Sequence, residues 1–168
     1  MSRFRFAPLL LALALAGCAT APPPPIAGGS GSATRSMAAA EARLDLQAAQ
    51  DMISRYRRDH GLGPVALDST LLRAASFQSE AMAQADTLSH EVRGPLGARL
   101  SAVGMGSGLA VENVSAGRRT LDEAINAWVR SAPHNQNLLE RGVRRMGIAT
   151  AYAPDSRFKV YWCLVMTD

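Results

Sequence analysis

The sequence predicts an α+β domain. Helical spacing of apolar residues prevails up to residue 130, and two strand-like runs joined at Pro154-Asp155-Ser156 close the chain. Helices that come first and a hairpin that comes last favour α+β over an alternating α/β fold. The chain has 168 residues, of which 48% are apolar, so one packed domain is expected.

Two helices are predicted in the first half of the chain. The first runs from Met37 to His60, where apolar residues recur every four positions, and glycines end it. The second begins near Asp68 and Ser69, both good N-caps, and extends to about Thr87. A short helix over 95–103 and an extended segment over 109–114 follow.

The second half supplies one more long helix and the strands. Thr120 and Glu123 form a candidate capping box for a helix that ends before Pro133. A helical turn is expected over 135–140. The strands are predicted at 146–152 and 158–166, and in the second one every other residue is a large apolar side chain: Phe158, Val160, Trp162, Leu164 and Met166.

The N-terminus has the pattern of a signal peptide. Residues 1–6 are basic and residues 7–16 form an apolar run too short to span a bilayer comfortably. The run ends in Leu15-Ala16-Gly17-Cys18, which resembles a bacterial lipobox. That resemblance implies removal of residues 1–17 and acylation of Cys18, which anchors the protein stably in a membrane. An ordinary secretory signal with a chance cysteine is the alternative.

Residues 18–36 are expected to be the lipidated cysteine and a tether rich in Pro, Gly and Ser. Ala19, and not aspartate, follows the cysteine, so by the same resemblance an outer membrane is favoured over an inner one. Once Cys18 is lipidated, Cys163 has no disulfide partner, and its apolar surroundings predict a buried, inert thiol. Residues 37–168 form the expected globular domain.

Charge excludes one class of partner. The 18 basic residues, all but one of them arginine, are scattered among 14 acidic ones. Nucleic-acid binding needs a concentrated basic stripe and, for single strands, stacking aromatic residues, and the sequence has neither. We therefore expect no nucleic-acid partner, and we expect a monomer.

Four polar residues near the ends of predicted elements are candidate site residues: His90, Glu112, Ser131 and His134. Two imidazoles and a carboxylate could supply three ligands to a divalent ion, or a general base with an orienting acid. Their spacing matches no local ligand motif. Purely structural roles are the alternative. His90 would then cap a helix C-terminus, and Glu112 would be a buried acid whose hydrogen bonds are all satisfied.

Five segments resemble the CAP superfamily, which includes cysteine-rich secretory proteins, antigen 5 and plant pathogenesis-related proteins. In order they are LDSTLLRAASFQSEAMAQADTLSH, VENV, LDEAINAWVRSAPHNQNLL, MGIATAY and VYWCLVM, and they cover roughly residues 47–168. They are most similar to the compact bacterial branch. The resemblance implies an α-β-α sandwich with a central antiparallel sheet between helices, so that residues 37–168 would be a CAP, or SCP, domain.

The resemblance also implies a central cavity lined by two histidines and acidic residues. His90 matches the histidine after the second helix, Glu112 matches the glutamate of the family's GEN segment, and His134 matches the second histidine. Ser131 stands where many eukaryotic members have a second acid, a departure that puts any mechanism with two carboxylates in doubt. The same four residues then line one binding cleft.

Three functions remain open, because the fold implies no common reaction. The leading hypothesis is a membrane-anchored lipoprotein of the bacterial envelope that binds a ligand, a lipid or an envelope partner through this cleft. The second is a hydrolase in which His90 and His134 hold zinc or magnesium and Glu112 is a ligand or the catalytic base. The missing second acid and the absence of a paired Ser or Cys nucleophile motif weigh against an enzyme. The third is a structural envelope protein.

Overall fold

The computed structural model describes residues 23–26, 31–106 and 108–168. The expected signal peptide at 1–17 and the candidate lipidation site Cys18 lie outside these ranges. No helix within them is long and apolar enough to cross a membrane. The helices are α1 (Leu46–Asp59), α2 (Ser69–Gln84), α3 (Leu96–Ala102), α4 (Leu121–Arg130) and α5 (Ala132–Leu138). The strands are β1 (Ala66–Leu67), β2 (Ala110–Ala116), β3 (Arg145–Tyr152) and β4 (Val160–Thr167).

The four strands form one sheet in the order β1-β3-β4-β2. The hairpin strands β3 and β4 pair antiparallel over their whole length, and β2 pairs antiparallel with the other side of β4. The two-residue β1 is parallel to β3, so the sheet is mixed at one edge. β2 is the opposite edge strand, which leaves one of its sides without a partner strand.

Strand β4 is buried along its whole length because helices cover both faces of the sheet. Its alternate residues enter two separate cores. Trp162 and Leu164 pack in the core that contains α1, α4 and α5, whereas Tyr161 and Cys163 pack in the core beneath α2 and α3. The expected α+β class and α-β-α sandwich are therefore confirmed. Cys163 is a free, buried thiol, as its apolar surroundings predict.

Helix α2 lies very close to β3. Asp68 begins the helix as expected, and its Oδ1 accepts hydrogen bonds from the backbone N–H groups of Thr70 (2.8 Å) and Leu71 (3.0 Å). At Gly147 in β3, a Cβ would lie only 2.1 Å from the carbonyl carbon of Leu71. The approach of the helix backbone to the strand therefore requires glycine at this position.

The N-terminal end of α1 differs from the sequence prediction. The alanine-rich stretch from Met37 favours a helix by propensity, but the helix begins at Leu46. Asp45 is its N-cap, and the side chain accepts a hydrogen bond from the N–H of Ala48. Met37 is instead buried in the core, and its N–H donates to the carbonyl of Arg119 over 2.7 Å. Tertiary packing overrides propensity in this segment.

Part of the expected tether also packs on the domain. We call residues 23–26 and 31–45 the N-terminal strap. The backbone of Ile26 forms two hydrogen bonds with the side-chain amide of Asn126 in α4, at 2.7 Å and 3.2 Å. Ile26 and Ala33 are both buried against the core on the α4 side of the sheet. Ile26 and Ala33 are therefore part of the packed core.

Arg57 joins α1 to the end of α5. The side chain is fully buried, and its three nitrogens donate to the backbone carbonyls of four residues: Gly63, Leu138, Glu140 and Val143. Burial lowers the pKa of the guanidinium. Every nitrogen of this arginine is satisfied by backbone, so it acts as a structural clamp.

Candidate functional site

The candidate site is built on the edge strand β2. Successive side chains of a strand point to opposite faces, so Glu112 faces the layer of α2 and α3, and Asn113 faces the layer of α5. Both residues are buried, at 6% and 1% exposure respectively. A buried carboxylate and a buried amide need partners, and the two layers supply different ones.

His90 is the exposed partner of the carboxylate. It lies in the loop between α2 and α3, which is fixed by a 2.7 Å hydrogen bond from Gln78 in α2 to the carbonyl of Ser89. The Nδ1 atom of His90 lies 2.9 Å from Oε1 of Glu112 and donates to it, because a carboxylate can only accept. The His90 side chain is 52% exposed, against 3% for that of Glu112. The hydrogen bond with Glu112 raises the pKa of His90 against the opposing effect of burial.

Arg99 is the buried partner, and sequence reasoning missed it. This α3 residue donates through Nη2 to both Glu112 oxygens, at 2.9 Å to Oε1 and 2.8 Å to Oε2. It also holds the loop that carries His90, with Nη2 donating to the carbonyl of His90 (3.0 Å) and Nε to that of Gly94 (3.1 Å). The third nitrogen, Nη1, is buried without a hydrogen-bond partner among the described residues.

Cys163 completes the surroundings of the carboxylate. Its Sγ lies 3.4 Å from Oε2 of Glu112, at a distance suited to a weak hydrogen bond from the thiol. Burial raises the pKa of the Cys163 thiol well above its ordinary value, and the neighbouring Glu112 raises it further. A thiol that stays protonated is a donor to the carboxylate and not a nucleophile.

On the opposite face of β2, Asn113 binds α5. Its Nδ2 donates to the carbonyl of His134 (3.0 Å), and its Oδ1 accepts from Nδ2 of Asn137 (2.9 Å). The same Asn137 nitrogen donates to the backbone carbonyl of Glu112 (3.0 Å). Asn137 is a second residue that the sequence analysis missed, and it fixes the position of α5 relative to the edge strand.

The other two sequence-predicted site residues pair with each other. Ser131 is the N-cap of α5, and His134 lies three residues later, inside the helix and not in the loop before it. The hydroxyl oxygen of Ser131 is 2.8 Å from Nδ1 of His134. Burial lowers the pKa of His134, and the positive charge of His90 lowers it further. The two histidines therefore differ in their preferred protonation state. His90 is held on a carboxylate that favours its charged form, whereas His134 favours the neutral form.

A cleft of about 390 Å³ opens over the pair of His90 and Glu112. It lies along the edge of the sheet, between the loop before α3 and the C-terminal end of α5. Its walls combine apolar and polar groups from these elements: His90, Glu91, Pro95, Leu96, Ala110, Val111, Glu112 and Asn137. The structure thus joins two of the four predicted residues directly and places the other two on the neighbouring helix α5.

The donor set does not fit a divalent metal in this arrangement. Within the described ranges, no three His, Cys, Asp or Glu side chains converge to hold a metal ion. Glu112 already has a guanidinium on both of its oxygens, and His90 and His134 each use Nδ1 in a hydrogen bond, which leaves the second nitrogen of each ring open among the described residues. Two open imidazole nitrogens are one fewer than the three protein ligands that an open zinc site usually has.

Several known proteins are similar to this chain. The uncharacterized protein YkwD of Bacillus subtilis is 26% identical over 100 residues, which are 58% of this chain and 39% of YkwD. An extracellular protein with an SCP domain from Bacillus anthracis is 27% identical in its crystal structure, with a TM-score of 0.63 over 73% of this chain and 40% of that one. The chain thus spans about two fifths of the length of both relatives.

A third likeness concerns the fold alone. An outer surface protein from Borrelia burgdorferi has a TM-score of 0.67 and 19% identity, and the match covers 74% of this chain and 92% of that protein. The model of the cysteine-rich secretory protein family matches residues 50–166, a range that contains every residue of the site described above. The chain therefore belongs to the cysteine-rich secretory protein, or CAP, family.

Proposed function

We propose that this CAP domain is a binding module of the bacterial cell envelope and that its ligand or partner enters the cleft over His90 and Glu112. One observation carries the proposal. A half-exposed imidazole is fixed on a buried carboxylate, so a hydrogen-bonding group is held in place beside an open cleft. Pre-positioned polar groups in a concave, partly apolar site are typical of ligand binding.

The chemistry of the ligand follows from the free edge of His90. Nδ1 is used by Glu112, and Nε2 makes no hydrogen bond to any described residue. Because the pKa of His90 is raised, Nε2 carries a proton over a wider pH range than in a free histidine. A ligand that accepts a hydrogen bond, such as a carboxylate, phosphate or carbonyl group, matches this donor.

The alternative of a metal-assisted hydrolase has less support. Its proposed base, Glu112, has a side chain only 3% exposed and accepts hydrogen bonds from Arg99 on both oxygens, so no open position faces a water molecule in the cleft. Its proposed ligands His90 and His134 each keep one ring nitrogen open, but no third His, Cys, Asp or Glu side chain of the described residues converges with them to hold a metal ion. The Ser131 and His134 pair lacks a third group that would orient the imidazole as in a hydrolytic triad, because the second ring nitrogen of His134 has no hydrogen bond within the described residues.

We further propose that the domain is extracytoplasmic and anchored through acylated Cys18, in an outer membrane where the cell has one. The pattern of residues 1–18 supports the anchor. The descriptions "extracellular protein" and "outer surface protein" of two similar structures are consistent with this location. Metabolic labelling with an alkynyl palmitate should mark the native chain in membranes, and Cys18→Ser should abolish the label. A label that persists in this variant would contradict the anchor.

Photo-crosslinking in the producing bacterium tests the cleft directly. A photoreactive amino acid at Leu96, in the cleft wall, should capture a partner or an envelope molecule that mass spectrometry identifies. The same probe at the exposed Asp155 is the matched control for collisions with abundant neighbours.

The decisive comparison is between variants. Capture at Leu96 should fall at least about tenfold in His90→Ala, because the fixed donor is lost, while folding is checked by circular dichroism. Equal capture with and without His90 would show that the cleft does not bind through this group. Loss of thermal stability alone, without specific capture at Leu96, would favour the structural role instead.

A further inference from the structure

The guanidinium of Arg99 lies where a cation bound to Glu112 would lie. Its Nη2 is within 2.9 Å of both carboxylate oxygens, which is the bridging position that a metal ion takes on a bidentate carboxylate. The two side chains are only 4% and 3% exposed. Solvent water therefore screens their charges very little.

The hydrogen-bonding capacity of the carboxylate is also filled. An ionised carboxylate offers roughly four lone-pair positions. Oε1 accepts from Nδ1 of His90 and from Nη2 of Arg99, and Oε2 accepts from the same Nη2 and from the thiol of Cys163. A metal ion could reach Glu112 only by displacing one of these donors and would then lie beside a buried positive charge.

The contrast with Arg57 distinguishes this role from simple structural support. Arg57 is also buried, but its hydrogen bonds go only to backbone carbonyls and all its nitrogens are satisfied. Arg99 leaves Nη1 without a partner in the described residues and places Nη2 on the site carboxylate. A side chain selected for structure alone would gain more from the fully bonded arrangement.

We propose that Arg99 is a specificity-determining residue that occupies the cation position at Glu112, so that this carboxylate takes no divalent metal ion and keeps His90 in place as the donor of the cleft. The proposal rests on the cleft of the proposed function for its biological meaning, but it holds whichever ligand binds there. It explains how the site can use a buried carboxylate without a metal, since the cation is part of the chain.

The position of His90 depends on the same guanidinium. Arg99 holds the carboxylate that orients the imidazole and two carbonyls of the loop that carries it. Removal of Arg99 therefore frees the carboxylate and loosens the loop together. The freed carboxylate and the nearby imidazole then form the kind of ligand pair that zinc binds with water completing its coordination.

The test is the thermal unfolding of the purified protein with and without zinc. Arg99→Met removes the charge and keeps most of the side-chain length. The melting temperature of this variant should rise by about 5–10 °C at a zinc concentration 100 times the dissociation constant. The shift of the wild type should be smaller by about 5 °C or more under the same conditions, because Arg99 keeps zinc off Glu112, and Arg99→Lys, which keeps the positive charge, should behave like the wild type.

Two controls separate this effect from general weakening. Arg57→Met also removes a buried arginine and should be destabilised, but zinc should not restore it. The double variant Arg99→Met/Glu112→Gln should lose the zinc effect, because the carboxylate is gone. If Arg99→Met does not fold in the absence of metal, the same scan on Arg99→Gln and zinc-dependent refolding of Arg99→Met provide the readout.

Two results would overturn the proposal. One is a zinc shift in the wild type that disappears in Glu112→Gln, because metal would then reach the carboxylate past Arg99. The other is the absence of any zinc effect in both neutral variants of Arg99. Neither result bears on capture of a partner at Leu96, so failure of this inference and failure of the proposed function are distinguishable.

Discussion

The pair of Arg99 and Glu112 should show strong energetic coupling. In Arg99→Met, the carboxylate stays buried with only a histidine and a thiol as partners, and in Glu112→Gln the guanidinium stays buried without a counter-charge. Breaking a buried ion pair in this way costs about 3–5 kcal/mol per single variant. The 4% and 3% exposure of the two side chains places the pair in this class and not among surface pairs.

The double variant removes both charges at once and should be much less destabilised than the sum of the single variants. We expect a coupling energy of about 2–3 kcal/mol from urea unfolding of all four proteins. The exposed pair of Arg145 and Asp68, with 43% and 22% exposure at 3.3 Å, is the matched control. The cycle of Arg145→Met and Asp68→Asn should give a coupling below about 1 kcal/mol. Additivity of the Arg99 and Glu112 variants within about 0.5 kcal/mol would refute the buried pair.

Three other perturbations have defined outcomes. Gly147→Ala should lower the free energy of unfolding, measured in urea, by at least about 1–3 kcal/mol, because its Cβ would overlap the backbone of α2. Gly97→Ala is the control, since a Cβ there has open space, and it should be neutral or stabilising. Equal effects of the two substitutions would disprove the close contact. Asn126→Ala should free Ile26, seen as faster amide hydrogen exchange at that residue, and unchanged protection would show that the strap is held otherwise. The stability that His90 contributes should be largest below pH 6.5 and vanish as pH rises through its raised pKa. The difference in unfolding free energy between the wild type and His90→Ala should therefore shrink toward alkaline pH. A difference that stays constant with pH would contradict the ion pair.

Local signals predicted most of the fold. Asp68 and Thr120 cap α2 and α4 where the sequence places them, and the continuous apolar run VYWCLVM matches a strand that is covered on both faces. The start of α1 was wrong by nine residues, because Met37 gains more from the core than from an added helical turn. No local pattern encodes that contact, which joins Met37 to a residue more than eighty positions away.

Sequence reasoning meets the same limit at the site, where contacts between distant parts of the chain decide the arrangement. His90, Glu112, Ser131 and His134 are candidates because they lie near the ends of predicted elements, but their spacing matches no motif, and only the family resemblance joins them into one cleft. Arg99 did leave a signal in the sequence, as Leu96, Arg99, Leu100 and Val103 follow the spacing of one helix face. An arginine on an otherwise apolar stripe predicts a buried ionic partner. Which acid it meets depends on the register of β2 against β4, which only the folded structure supplies.

The most direct measurement of the central claim is an NMR titration of the two site histidines. The account requires His90 to be held on Glu112 beside the cleft, so its pKa should lie above 6.5, and that of His134 below it. In Glu112→Gln the pKa of His90 should fall, while His134 changes little. A wild-type His90 that titrates at or below 6.5, or one that is indifferent to Glu112→Gln, would contradict the pair on which the proposed binding cleft is built.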